Sequence, residues 1–269
     1  MLIRLCFTKS YEPLHIACYG FVIALFRAVF LDLGDTLVHL DQPWEDIFHA
    51  NLQQLYNYLT TQGLKLESQK FAKTFVKQFN AASDQSNLSK IEIPMEEIIS
   101  KVLTKSGLQH EGMDLPTKAM IEFFKPEIES WQVYPDTIET LTALERQGYV
   151  MGIVSNAKSD YAVHAILQRR NLSGFFKIIV SSAALRIRKP RREIFTQALS
   201  SLGVNASDAI FVGDSMEADV AGSKHVGMRS IHLLRKPIEG VHPVNPDARV
   251  KSLSEALGVI TNWNNGYAD

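Results

Sequence analysis

The chain has 269 residues, enough for one good core with a smaller appended unit or for one large α/β unit. With 28 Lys and Arg against 29 Asp and Glu, and 46% apolar residues, its composition is that of an ordinary globular protein and offers no surface for nucleic acid or an anionic membrane. The only cysteines, Cys6 and Cys18, precede the first convincing element, which excludes a disulfide framework and a cysteine metal site and makes a reducing cytoplasm the expected compartment.

Leu14–Phe26 is apolar and follows Arg4 and Lys9, but it is short for a bilayer span and lacks a clear small-x-small cleavage context. It also runs through Arg27 into the first strand, so residues 1–27 are read as an N-terminal extension of unknown role. Residues 28–34 predict a buried strand. From Trp44 the apolar residues Ile47, Phe48, Leu52, Leu55 and Leu59 recur at steps of three and four, the spacing of one helical face. Phe71, Phe75, Val76 and Phe79 predict a second helix. Pro94 opens a third over Met95, Ile98, Ile99, Val102 and Leu103, closing near Gly107, and Met120 to Phe124 mark a fourth. Residues 41–133 thus read as a helical bundle inserted after the first strand.

From Tyr134 the pattern alternates. A helix with Ile138, Leu141 and Leu144 inward leads to the strand "VMGIVSN"; helix 161–170 leads to "FFKIIVSS"; helix 193–202 leads to "DAIFVGD". A helix over 216–226, the strand "MRSIHLL" and a closing helix at 253–260 complete the series. Strands alternating with helices of this length predict an α/β fold, a Rossmann-like parallel sheet flanked by helices. The catalytic core is expected over 28–40 and 134–269. Neither Gly-x-Gly-x-x-Gly nor a Gly-Lys-Ser/Thr phosphate loop is present, so no nucleotide cofactor is predicted.

In such a sheet, functional groups collect at the carboxyl ends of the strands. Those ends read Asp32 with Gly34, Ser155 with Asn156, and Gly213-Asp214-Ser215, joined by Lys189 in the loop "RIRKPRREIF". The set contains metal ligands, a nucleophile and donors for an anion. A carboxylate can attack a phosphoryl group only where a cation and fixed donors cancel the charge on its oxygens.

Four segments in order, "FLDLGDTL", "GIVSN", "RKPRREIF" and "FVGDSMEADVAGSKHVGM", resemble the motifs of the haloacid dehalogenase-like superfamily of hydrolases, and 41–133 resembles its inserted helical cap of the first type. The resemblance implies a Mg²⁺-dependent phosphatase of small phosphorylated metabolites working through an aspartyl-phosphate. Asp32 would be the nucleophile and Lys189 the group that neutralises it. Ser155, Asn156 and Thr36 would lie on the substrate side. Asp32, the Gly34 carbonyl, Asp214 and Asp219 would hold the metal, Asp219 directly or through the other ligands. His39, Asp41 and Trp44 stand at the expected cap entrance, whereas Arg186, Arg188, Arg191 and Arg192 read as solvated surface. No membrane partner is implied, and neither substrate nor oligomeric state is legible.

One position departs from the family pattern. Phosphatases of this family carry a second Asp two residues after the nucleophile, as general acid and base; here Gly34 stands there, and Thr36, four after Asp32, fixes the register. This leaves open a weakly active or inactive phosphate-binding or partner-binding member, or a hydrolase of carbon–halogen or carbon–phosphorus bonds. It also leaves open Asp35 as a stand-in.

Overall fold

A computed structural model describes residues 26–107, 114–235 and 243–266 of the chain. The apolar stretch before Phe26 falls outside the described residues. Strand β1 (Ala28–Leu31) is buried along its whole length. Its side chains alternate, Val29 and Leu31 entering the larger apolar cluster and Ala28 and Phe30 the smaller one on the opposite face. That is the period-two signature of a strand covered on both sides.

After a tight loop, β2 (Val38–Leu40) leads to four helices, α1 (Trp44–Thr61), α2 (Ser68–Ser89), α3 (Met95–Lys105) and α4 (Asp114–Ser130), and then to β3 (Trp131–Val133). β2 and β3 pair antiparallel with Val38 opposite Val133 and Leu40 opposite Trp131, so the two ends of the helical segment leave the sheet as one stem. Neither strand is visible in the sequence, since three residues are too few to carry a usable alternation. Phe48, Phe75, Phe79 and Phe123 form the aromatic centre of the helices, with Phe48–Phe79 centroids 4.8 Å apart and Phe75–Phe123 5.3 Å.

The remainder follows as α5 (Thr137–Arg146), β4 (Val150–Ser155), α6 (Asp160–Arg169), β5 (Phe176–Ser181), α7 (Ser182–Leu185), α8 (Arg192–Leu202) and β6 (Ala209–Gly213). After β6, a wide π-helical turn over Met216–Ala221 runs into α9 (Gly222–His225), then β7 (Arg229–Leu233), β8 (Ala248–Val250) and α10 (Leu253–Asn264). The sheet order is β5-β4-β1-β6-β7-β8, and every pairing in it is parallel. This is the predicted Rossmann-like α/β architecture. β1 sits between β4 and β6, so the carboxyl ends of three adjacent strands converge.

Two expectations need correction. Ile138 is 50% exposed; the buried stripe of α5 is Thr137, Thr140, Leu141 and Leu144, which leaves Ile138 about a quarter-turn away. The single helix expected over 216–226 is instead the π turn and a short α-helix. Its cause is local: the Ser215 carbonyl accepts from both Asp219 N–H (3.0 Å) and Val220 N–H (3.1 Å), widening the first turn.

No helix among the described residues is long and apolar enough to cross a membrane.

Candidate active site

Asp32 follows β1 directly, its N–H donating to the Val212 carbonyl of β6 at 3.0 Å. Ser155 closes β4, and Asp214 follows the last residue of β6. Asp219 is brought back by the π turn: its Oδ2 accepts from Ser215 N–H at 2.9 Å. The carboxylate then occupies the space beside Gly213, where a Cβ would lie 2.3 Å from Asp219 Oδ2. No side chain fits there, which is the physical demand for glycine at the end of this strand.

Lys189 joins the group from the loop after α7. It is 3% exposed, and its ammonium donates to Asp32 Oδ1 (2.6 Å), the Val154 carbonyl (2.7 Å) and Asp219 Oδ1 (2.7 Å). All three protons are placed. Asn156 is why the loop stays there: its Oδ1 accepts from Lys189 N–H at 2.8 Å and its Nδ2 donates to the Lys189 carbonyl at 3.1 Å. The Asn156 side chain is thus committed to the lysine backbone, while the residue itself lines the cavity described below. The expectation for Thr36 is revised. It is fully buried, does not line the cavity described below, and its Oγ1 has no hydrogen-bond partner among the described residues.

Burial, opposed by Lys189 and reinforced by Asp219, raises Asp32 to about 6. Burial and the neighbouring Asp32 and Asp219 carboxylates raise Asp214 to about 7. Burial alone would lower Lys189, but Asp219 and Asp32 outweigh it and hold the ammonium above the ordinary lysine value. Asp32, Asp214 and Asp219 each offer an oxygen within 4.8 Å of the others. Three acidic groups against one lysine, all hard oxygen donors in a buried pocket, form a donor set that fits a small divalent cation. Both oxygens of Asp219 are already engaged, by Lys189 and by Ser215 N–H, which leaves Asp32 and Asp214 as the more direct ligands.

The opening loop explains how the missing second aspartate is accommodated. Asp35, not Gly34, takes the left-handed conformation (φ 55°), a region Asp tolerates because its short side chain can bond locally. Its N–H donates to the Val38 carbonyl at 2.7 Å. A Cβ at Gly34 would stand 3.1 Å from Trp131 Cη2, so the indole covers the face where the second Asp would project. Asp35 lines the same cavity and adds to the repulsion felt by Asp214.

These groups form the floor of a cavity of about 530 Å³. Its roof comes from the helical segment, including Trp44 but neither His39 nor Asp41. His39 stacks on Tyr134 (centroids 4.7 Å apart), and Asp41 accepts from Gln132 Nε2 at 3.2 Å. The sequence reading missed Glu127, 9% exposed on α4 and facing the cavity. Pro126 removes an N–H from that helix, and the next N–H, of Glu127, donates to Asn51 Oδ1 at 3.1 Å. Asn51 Nδ2 returns a bond to Glu127 Oε2 at 3.2 Å, and Trp131 Nε1 donates to Oε1 at 3.4 Å. Burial, only partly offset by these bonds, raises Glu127 to about 7. Glu122 and Glu127 both interrupt the apolar residues of 119–128, so the sequence offered no signal that singles out Glu127.

Of the four arginines, Arg186 and Arg192 are exposed as expected, whereas Arg188 differs from the solvated surface expected of it. Glu92, with no exposed surface, sits in the α2–α3 linker and accepts from Ser182 Oγ (2.7 Å), Lys158 (3.2 Å) and Arg188. Arg186 pairs with Glu97 at 2.6 Å. Backbone bonds from Glu92 N–H to the Arg186 carbonyl (3.1 Å), Arg188 N–H to the Lys90 carbonyl (3.0 Å) and Met95 N–H to the Lys158 carbonyl (2.8 Å) complete the junction.

A parallel sheet in this order, with carboxylates after β1 and β6, a serine at the end of β4 and a lysine across from them, defines a hydrolase-type α/β enzyme core, and comparison with known proteins agrees. The family model of haloacid dehalogenase-like hydrolases matches residues 31–233, and the chain belongs to that family. It is 27% identical over 150 residues to a glyceraldehyde 3-phosphate phosphatase of Methanopyrus kandleri, covering 54% of this chain and 64% of the relative. Haloacid dehalogenase-like hydrolase domain-containing protein 3 of Danio rerio is 36% identical over 128 residues, covering 47% of this chain and 52% of the relative. In both cases the match spans less than two thirds of the relative's own length. The crystal structure of a 2-haloacid dehalogenase from Pseudomonas syringae superposes with a TM-score of 0.64 at 22% identity, over 89% of this chain and 100% of that one, a likeness of fold.

Proposed function

We propose that this chain is a Mg²⁺-dependent phosphatase of small phosphorylated metabolites, with residues 28–40 and 134–269 as its catalytic core and 41–133 as a cap closing over the substrate. The observation that carries the reading is Lys189 Nζ held between Asp32 Oδ1 (2.6 Å) and Asp219 Oδ1 (2.7 Å), with Asp214 in the same cluster. Asp32 attacks phosphorus, the bond to the leaving oxygen breaks, and water later cleaves the aspartyl-phosphate. Lys189 keeps the attacking carboxylate ionised and aimed, and offsets charge on the transferring group. Ser155 ends β4 and lines the cavity, which supports its donating to a phosphate oxygen. Asp32, Asp214 and the Gly34 carbonyl would hold the cation, with Asp219 orienting from behind. The cation would supply Lewis-acid stabilisation of the phosphoryl oxygens.

Gly34 offers no proton to the leaving oxygen. Placed acid–base groups are worth about 10²–10⁴-fold, so substrates whose leaving oxygen departs unprotonated are favoured. The phosphatase names among the relatives, including the glyceraldehyde 3-phosphate enzyme, support the reaction class. The test is turnover of acetyl phosphate with and without Mg²⁺ by the intact chain and by Asp32→Asn. Turnover that persists in the variant would remove Asp32 as nucleophile.

A further inference from the structure

The floor and roof of the cavity differ in chemistry. Among the described residues, the helical segment contributes Trp44, Phe79, Met95, Phe123, Phe124 and Trp131 to the lining, and beside them a single charged side chain, Glu127. Ala162, Val163 and Ile166 of α6 continue the apolar wall. The two cations on the rim, Lys158 and Arg188, are both committed to Glu92. A sugar or polyol phosphate enclosed here would strip water from several hydroxyls and meet a single carboxyl acceptor on the roof. Each buried polar group left unpaired weakens binding, because its lost water contacts are not replaced.

We propose, building on the phosphatase reading, that the substrate is an aryl phosphate whose ring seats under Trp131 and the phenylalanine roof and whose far edge gives one hydrogen-bond donor to Glu127. The roof and the absent proton donor select the same chemistry. The phosphorus–oxygen bond to the leaving group breaks as the bond to Asp32 forms, and the aryl oxide leaves with the electron pair. Because an aryl oxide is stable enough to depart as the anion, nothing at position 34 has to protonate it; it takes its proton from water after release. The indole over Gly34 then occupies space a second Asp would use, and lies against the ring instead.

Binding and reactivity are separated with phosphonates, which have no leaving group. Acetyl phosphate hydrolysis by the full chain with Mg²⁺ is the reporter. Inhibition constants are measured for methylphosphonate, 2,3-dihydroxypropylphosphonate, benzylphosphonate and 4-(hydroxymethyl)benzylphosphonate. Benzylphosphonate should bind at least about 10-fold tighter than the first two, the return expected for burying a ring in an apolar pocket. The hydroxymethyl group should add about 5-fold more, a hydrogen bond to a buried carboxylate, and that increment should vanish in Glu127→Met. The increment is a ratio within each variant, so a partly folded preparation leaves it unchanged. Equal constants for all four, with acetyl phosphate hydrolysed, overturn this proposal and leave the phosphatase reading standing. A polyol phosphonate that binds best overturns it equally. No hydrolysis of acetyl phosphate under any condition removes both.

Discussion

The floor and the roof of one cavity were built under opposite constraints. The floor is a charge-dense set of oxygen and nitrogen atoms beside the strand ends, in which Lys189 bonds Asp32 and Asp219 and the Asp214 carboxylate lies within 4.8 Å of both acids. The roof is aromatic, and its one carboxyl is held by neutral donors, Asn51 and Trp131. Under the proposed reading, the contrast would assign the reaction to the sheet and the choice of substrate to the insertion.

The sharpest way to break that division is at the floor. Asp32→Asn should cost about 10⁴-fold or more in acetyl phosphate turnover, as expected for removal of a nucleophile, with no loss of thermal stability. A variant that keeps a tenth of the activity would end the assignment. Removing the cation with EDTA should silence turnover by more than about 100-fold, with recovery on adding Mg²⁺, because charge on the phosphoryl oxygens would go uncompensated. Indifference to the chelator would favour metal-free chemistry of the dehalogenase kind.

At the roof, the expected effect concerns stability. Glu127 lies near 7 in the folded chain against 4.5 ordinarily, so the neutral form is favoured by folding. A raised carboxyl contributes stability that is complete below its unfolded value and is lost as pH climbs through the folded one. Wild type should therefore lose on the order of 3 kcal/mol relative to Glu127→Gln between pH 4.5 and 7, measured by urea denaturation. Parallel stability curves for the two proteins would place Glu127 in a wetter setting than its burial indicates.

The smallest effect is at the seam between the regions. Gly34→Asp should raise hydrolysis of alkyl phosphates by about 10-fold while barely changing aryl phosphates, since only the former need a proton. The indole 3.1 Å from the new Cβ must yield, so the gain should grow when Trp131→Phe is added. An equal gain for both substrate classes would mean that proton transfer is not what Gly34 lacks.

Much of the floor was legible in the sequence because strand ends announce themselves. An apolar run that stops at Asp32 or Asp214 has its carboxylate delivered by a parallel sheet whose order follows from the βαβ rhythm. What that reading could not supply was which side chains are already engaged. Asn156 reads only as lying on the substrate side, and nothing in the sequence marks its amide as gripping the Lys189 backbone in both directions. Thr36, in register with its motif, lies wholly below the surface. The roof was opaque for a different reason. Phe79, Phe123 and Trp131 come from separate elements, and helical periodicity says that a residue points inward, not whether it meets packed core or open cavity. Glu92 and Arg188 show the same limit, since a linker acid and a basic run 96 residues apart in sequence carry no mark of their pairing.

The junction at Glu92 has a mechanical consequence. The strand of chain that bears Lys189 is pinned on one side by Asn156 and on the other by the crosspiece between α2 and α3. If the inserted helices act as the proposed lid, lid and lysine would be geared together, and damage at this distant acidic hinge-pin would be read at the phosphorus atom.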